Sequence, residues 1–587
     1  MIATNSSLSN SSQSSSGNYQ ALPKIEIEGN EAQSKLYEDL LQVLVEESLH
    51  FPAMFTLVIR NDYQPGMGED SDEPWQHDYL EIGKKVKVSF SASTTASQDF
   101  QEENEGQVIE GEITAIEAHF SDQTQAPIVV RGYDISHRLH RGKWNRSFQN
   151  LTDSDLVKKI AGEVGISVGK VDESGVPHEY LFQENQTNME FLRSRASRIG
   201  FELFIQDGKL NFRKPTKDEI LDLEWLRDIS NFRVRTTSAE QVKSVEVRGW
   251  DYTQKQAIVS TANSEKVVTE TEQGKGSETS GKFQGLPAPT LYVVDRPVEQ
   301  PKEADLMAEA LCNEIGGQFV LADARGEGNP KIRPGRVVKL QGMGKYSGQY
   351  YVTETRHAFQ ERIYTTEFSV RGLRGGDLLT LLNSPDRLQP GQTFLVGIVT
   401  DNEDPEGLGR VKVKFPSLTE EHSSNWARVV SPGAGKSRGF DCLPEIEDEV
   451  LVGFEHGDIH RPYVLGGVWN GEDMPPEKVE DSVTDGKVRL RTLRTRKGHL
   501  LQFVEEDKSG TQAGVRIKTE KGHQVYLNDS QGKIEIVTKG GHKLILDDNG
   551  SKMSMSSTGT LSIEAKGAID LKTQGVISLS GSKVDLG

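Results

Sequence analysis

Apolar residues in the last part of the chain come in pairs, two residues apart, and the pairs recur at a nearly fixed interval. They are Ile534/Ile536, Leu544/Leu546, Met553/Met555, Leu561/Ile563, Ile569/Leu571, Ile577/Leu579 and Val584/Leu586, with first members 10, 9, 8, 8, 8 and 7 residues apart. The two members of a pair point to the same face of an extended strand. Gly559, Gly567 and Gly575 recur eight apart and mark the corners between strands. Such a repeat predicts a β-solenoid. Eight residues at about 3.3 Å each span only about 26 Å, enough for one side of a β-prism and too short for a whole coil. Three chains, each giving one strand per period around a shared axis, bury every pair and leave no long free edge. The pattern therefore predicts a homotrimer with a triple-stranded, intertwined β-helix needle over 498–587. Its trimer core is Leu561, Ile563, Ile569, Leu571, Ile577 and Leu579. A single-chain solenoid or a plain β-meander is the alternative.

Upstream the periodicity changes several times. Residues 1–20 are rich in Ser and Asn with almost nothing to bury, which predicts a disordered arm. Leu36, Leu40, Leu41 and Leu44 have helical spacing, and Phe55–Ile59 reads as a strand. Short β runs at 85–90, 108–120 and 127–133 have barrel-like spacing, broken by an acidic loop near 97–106. Thr152 or Asp153 can cap a helix with the apolar face Leu156, Val157, Ile160 and Val164. A second helix runs from Asn188 to Gly200, and Asp207-Gly208 turns a hairpin. These predict an α/β subdomain inserted at about 150–215 in a β body of 21–382. A second β set begins near Val242 and contains a helix over 304–315 with strands at 336–340, 349–357 and 364–371. Turn residues make 383–392 a linker. Five short strands within 393–470 predict a closed Greek-key barrel of the oligonucleotide/oligosaccharide-binding (OB) type, and 471–497 connects it to the needle.

Length and composition bound this picture. At 587 residues the chain is too long for one core, and 35% hydrophobic residues with 57 Gly suit a turn-rich β protein. There is no run of about 18 apolar residues and no apolar core for a signal peptide near Met1, which predicts cytoplasmic assembly without the general secretory route. Cys312 and Cys442 are too few for a disulfide framework or a Cys-rich zinc site and are expected to be buried thiols. Charge is uneven: residues 486–587 hold 17 Lys/Arg against 11 Asp/Glu, and the remainder 51 against 77. An acidic body disfavours nucleic-acid binding.

Candidate chemistry is sparse. Glu445, Glu447, Asp448 and Glu449 could suggest paired carboxylates, but clustered on a loop they read as solvated. His499, His523 and His542 each follow a Gly; around a three-fold axis they could bind metal, while a hydrogen-bonded corner is the plainer reading. His456 and His460 form a weaker pair. The barrel lacks the clustered aromatics that single-stranded nucleic acid needs. No catalytic residue, cofactor or metal is expected.

The motifs Gly397-Ile-Val-Thr-Asp-Asn-Glu-Asp-Pro405, Gly409-Arg-Val-Lys-Val-Lys-Phe-Pro416, Trp426-Ala-Arg-Val429, Asp448-Glu-Val450, Gly457-Asp458, Arg461-Pro462 and Gly466-Gly-Val-Trp-Asn470 resemble the barrel of VgrG-type spike proteins. Arg131-Gly-Tyr-Asp134 with Arg141-Gly142 looks like the late-control-protein D hub domain of that family, and the closing repeats look like its needle. Glu447 and Ile459-His460 depart from the usual turns.

The resemblance implies a mainly β protein with two hub β-barrels, the OB neck and the needle, forming the spike and hub of a contractile injection system. It also implies a mechanical, non-enzymatic role: capping a hexameric inner tube, puncturing the target membrane and delivering effectors. Alternatives are a type VI secretion tip or a spike with cell-wall hydrolase activity, although 471–497 leaves no room for a muramidase. The Ser-rich arm and the short, tapered ending favour an extracellular phage-tail-like particle. Implied partners are the chain itself, the tube, baseplate proteins and a PAAR-like tip cap, the last contacting Val584, Asp585, Leu586 and Gly587.

Overall fold

The computed structural model describes residues 21–61, 77–93, 103–120, 127–298, 300–372, 392–505, 508 and 510–585. The expected arm of 1–20, the linker residues 383–391 and the tip residues Leu586 and Gly587 lie outside these. The described residues divide into two units, 1–468 and 469–587.

In the first unit, strands such as Ala21–Ile27, Leu40–Ser48 and Ile363–Val370 alternate buried with more exposed residues, the period of a sheet with one face in a core. They belong to one eleven-stranded sheet. Its order is Ile229–Thr236, Val320–Glu327, Ile363–Val370, Glu354–Gln360, Leu40–Ser48, Met54–Ile59, Ile128–Asp134, Glu103–Ala118, Lys85–Ser93, Ala21–Ile27 and Asn30–Glu31. One half wraps a core containing Phe55, Leu57, Val88 and Phe90. The other half, with Ile220–Glu224 and Val337–Gln341 from a separate four-stranded sheet, encloses Ala322, Leu340, Tyr350 and Phe368. The two lobes thus share a sheet, joined where His357 pairs with Val45. At that seam the buried Arg333 guanidinium donates to both oxygens of buried Glu47 at 2.7–2.9 Å.

Several local readings change. The helix near Lys35 is only Ser34–Asp39, and Leu40, Leu41 and Leu44 belong to a strand. Val43 and Val45, both fully buried, impose period two there. The stretch 349–357 is two strands, Gly348–Tyr351 and Glu354–Gln360, in different sheets. Ile220–Glu224, Ile229–Thr236 and Val320–Glu327 carry no strong sequence signal.

The stretch 150–215 holds two helices and a hairpin. Helices Asp153–Glu163 and Asn188–Arg198 start on capping boxes, Thr152 with Asp155 and Thr187 with Glu190, which satisfy orphan N–H groups. Asp207 and Gly208, at φ 50° and 70°, turn the hairpin. Its core reaches back to Leu139 and Phe148, before residue 150. The five expected barrel strands, from Leu395–Asp401 to Pro462–Gly467, close into a barrel around fully buried Val399, Val411, Val413, Val450 and Val464.

In the second unit, seven strands from Leu490–Arg494 to Lys552–Ser556 form an antiparallel meander, each paired with the next in sequence. Over 490–556 each strand finds its partners within this chain, folded back at short turns such as 495–499, 519–523 and 538–542. The strands also start at Leu490, earlier than expected. Among the described residues no strand follows Ser556.

Candidate functional site

Register turns the apolar pairs of the meander into two columns. Phe503, Val515, Leu527, Ile534, Leu546 and Met553 stand opposite one another on successive strands; beside them run Leu493, Leu501, Ile517, Val525, Ile536, Leu544 and Met555. Because the two columns are two residues apart on each strand, they share one face. That face is uncovered: Phe503 is 44% exposed, Ile517 48% and Met553 62%. The reverse face is covered by the same chain, where Gln502 Nε2 donates to Glu477 Oε1 at 2.9 Å and the Tyr526 hydroxyl donates to Gln512 O. Beyond Ser556 the expected core residues Leu561, Ile563, Ile569, Leu571, Ile577 and Leu579 are all 51–69% exposed.

The turns at one edge repeat a motif, Thr-x-x-Gly-His, at 495–499, 519–523 and 538–542. In each, the His N–H donates to the Thr Oγ1 at 3.1–3.2 Å, and Gly498, Gly522 and Gly541 adopt φ 90–93°. The Nδ1 atoms of His499, His523 and His542 accept the backbone N–H of Glu520, Lys539 and Thr558, respectively, at 3.2–3.5 Å. Each imidazole therefore ties its corner to the corner two strands on. These histidines are hydrogen-bonded corners, and among the described residues no group of three or more His, Cys, Asp and Glu is placed to hold a metal.

Elsewhere the predicted residues scatter. Glu445, Glu447 and Asp448 lie in a loop, where Asp448 Oδ2 accepts the Glu445 N–H at 2.7 Å. Glu449 contradicts the solvated reading: it is buried, opens the strand Glu449–Phe454 and accepts from Trp250 Nε1 at 3.1 Å. Nothing in the sequence announces that contact across 199 positions. In the same barrel Arg410 holds the Asp404 carboxyl well below the usual range through a bidentate pair at 2.7–3.0 Å. His456 sits in a turn at φ 54° and His460 Nδ1 is 2.8 Å from Asp458. Cys312 is buried, but Cys442 is exposed on a barrel loop, which corrects the expectation of two buried thiols. Val584 is exposed, and Asp585 lies 3.4 Å from Lys583.

Residues 395–469 match the family described as type VI secretion system/phage-baseplate injector OB domain, a stretch the closed barrel fills. Residues 97–361 match one described as Alg8 N-terminal domain; those limits cut the eleven-stranded sheet through its shared seam. Among curated proteins, the type VI secretion system spike protein VgrG1b of Pseudomonas aeruginosa is 28% identical over 262 residues, 41% of this chain and 35% of that protein. VgrG1c of the same organism is 36% identical over 149 residues, 24% of this chain and 20% of that protein. The actin cross-linking toxin VgrG1 of Vibrio cholerae is 31% identical over 127 residues, 21% of this chain and 11% of that protein. The chain thus spans about a third or less of the length of the curated relatives it matches. Two solved structures are alike in chain trace. The 43 kDa tail protein of prophage MuSo2 from Shewanella oneidensis has TM-score 0.45 and 15% identity, covering 60% of this chain and 98% of that one. An Escherichia coli type VI secretion component has TM-score 0.38 and 16% identity, covering 76% and 99%. On the sequence matches and the barrel together, this chain is a homologue of the VgrG spike proteins and carries an injector OB domain of the type VI secretion and phage-baseplate kind.

Proposed function

We propose that three copies of this chain form the spike and hub of a contractile injection apparatus. Residues 21–372 cap the inner tube among baseplate proteins, the 395–467 barrel is the neck, and 490–585 is the needle that punctures the target membrane and lets effectors pass. The role is mechanical: sheath contraction supplies the work and the needle supplies stiffness.

The observation that carries this reading is the pair of registered apolar columns left bare in the single chain. Full burial of each large side chain is worth about 1.5–3 kcal/mol, and three such faces turned to one axis cover all of them at once. The open-ended repeat from Leu561 onward, with no strand partner in its own chain among the described residues, is completed by the other two chains. Exposed Val584 suits a PAAR-like cap on the tip, and the finished machine is an extracellular particle.

Native mass spectrometry of the full chain tests the assembly; a trimer is expected, and a monomer at micromolar concentration overturns it. Imaging of particles with an antibody against residues 557–585 tests the place, with label expected at one end of the particle only.

A further inference from the structure

In the ten residues from His137 to Arg146 the chain has four Lys/Arg, two His and no acid, although acids outnumber bases 88 to 68 overall. Part of this cluster is neutralised: Glu112 bonds His137 at 2.7 Å and also pairs with Arg138, and Arg146 pairs with Glu163 at 2.6 Å. Four groups are left over. The side chains of His140, Arg141, Lys143 and the half-buried Arg193 make no hydrogen bond or ion pair among the described residues. Arg193 lies one turn from Glu190 on the helix Asn188–Arg198, which puts both on one face. His140 ends the turn Ile135–His140 that this helix packs against. It is close enough to Arg193 and Glu190 that both act on its charge, and Lys143 acts on Glu190.

The neighbouring carboxylates are already engaged. Asp134 accepts from Ala53 N and Ser136 N at 2.8 Å each. Glu190 closes the capping box by accepting from Thr187 N at 2.8 Å. Arg193 is therefore a partly desolvated guanidinium whose donors have no acceptor, and burial lowers its proton affinity with only Asp134 in opposition. A guanidinium fork that reaches solvent with no protein acceptor is free to meet a ligand and matches a carboxylate bidentately.

We propose that Arg193, flanked by His140 and Lys143, is a receptor for carboxylate side chains on an acidic segment of a partner protein. Exposed Trp144, next in sequence to Lys143, 45% accessible and stacked under the Arg146 guanidinium at 5.0 Å, offers an apolar contact for such a segment. This inference does not depend on the trimer or on the needle.

The test is titration of the full chain with a hexaglutamate peptide, and separately with inorganic phosphate, at low and at physiological salt. Saturable hexaglutamate binding is expected, weakening with salt and falling about tenfold or more in Arg193→Ala. Arg193→Lys, which keeps the charge but not the fork, should recover only part of that loss, with unchanged circular dichroism in both variants. Full recovery by Lys would overturn the bidentate assignment. Binding of phosphate but not of the peptide, or hexaglutamate binding indifferent to Arg193, would overturn the receptor itself.

Discussion

Trp250 donates its indole N–H to Glu449 at 3.1 Å, and five residues further on Lys255 Nζ donates to Glu447 O at 2.6 Å. These two bonds tie the hub sheet containing Ser244–Asp251 to the first strand residue on one side of the barrel. Trp250→Phe removes the donor while keeping most of the ring volume, and leaves a buried carboxylate without its indole partner. Such a loss costs about 1–3 kcal/mol. Calorimetry should show the barrel transition at lower temperature. An unchanged transition would show that the contact does not hold the barrel.

Ile569→Asp or Ile577→Asp should destroy the needle beyond Ser556 while sparing the hub. In the single chain both residues are exposed, 51% and 52%, so an isolated chain predicts almost no penalty. In a trimer three carboxylates meet in a narrow apolar shaft, and burying even one unpaired charge costs several kcal/mol. Thermal resistance of the needle, read by protease digestion on heating, separates the two cases; a normal digest would mean these residues do not face inward.

His523→Ala should loosen the meander edge by about 0.5–1.5 kcal/mol, the net worth of a hydrogen bond, through loss of the Nδ1 acceptor for Lys539 N–H. Hydrogen exchange at Lys539 is the readout. Faster exchange at Lys539, with little change on the central strands, is the expected pattern. Adding zinc should leave the wild-type rate unaltered, because the imidazole acts as a backbone acceptor.

Glu202 makes hub stability pH-dependent. Burial pushes its carboxyl up to about 7, against the Tyr351 hydroxyl that donates to it at 2.7 Å and the nearby Arg213. A raised acid is stabilised in its protonated form. Below about pH 4.5 the folded and unfolded states are both protonated, and between about 4.5 and 7 the folded state holds the extra proton. Stability contributed by this group therefore falls as pH rises through that window, by an amount on the order of 3 kcal/mol. Buried His357, pushed down to about 3, slopes the other way, losing stability as pH falls below its unfolded value. The difference between Glu202→Gln and wild type isolates Glu202: the variant should gain on wild type from pH 5 to 7.5 in urea melts, and parallel curves would refute the assignment.

The needle and barrel were legible because their signals are local. Alternation fixes which side chains share a face, and the spacing of Ile534, Leu544 and Met553 places three successive strands without knowledge of partners. The barrel strands could be placed because five short apolar runs are separated by Gly, Pro and Asp turns. Capping at Thr152 and Thr187 needs only residues three apart.

What the sequence alone determined is therefore periodic: the apolar face of the strands between 534 and 556, the five-stranded barrel and the two capped helices. Tertiary structure alone decided which strands meet. The pairing of Leu40–Ser48 with Glu354–Gln360, the merging of two lobes into one sheet and the burial of Glu449 beneath Trp250 join residues 199 or more positions apart. Their local patterns are those of any half-buried strand or acidic loop. Alternation states that a face must be covered, but the identity of the cover follows from chain closure and packing. Within 490–556 consecutive strands pair in one chain, and where a turn of four or five residues joins them, as at 495–499 and 538–542, their ends are already close and the entropy of closing the loop is small.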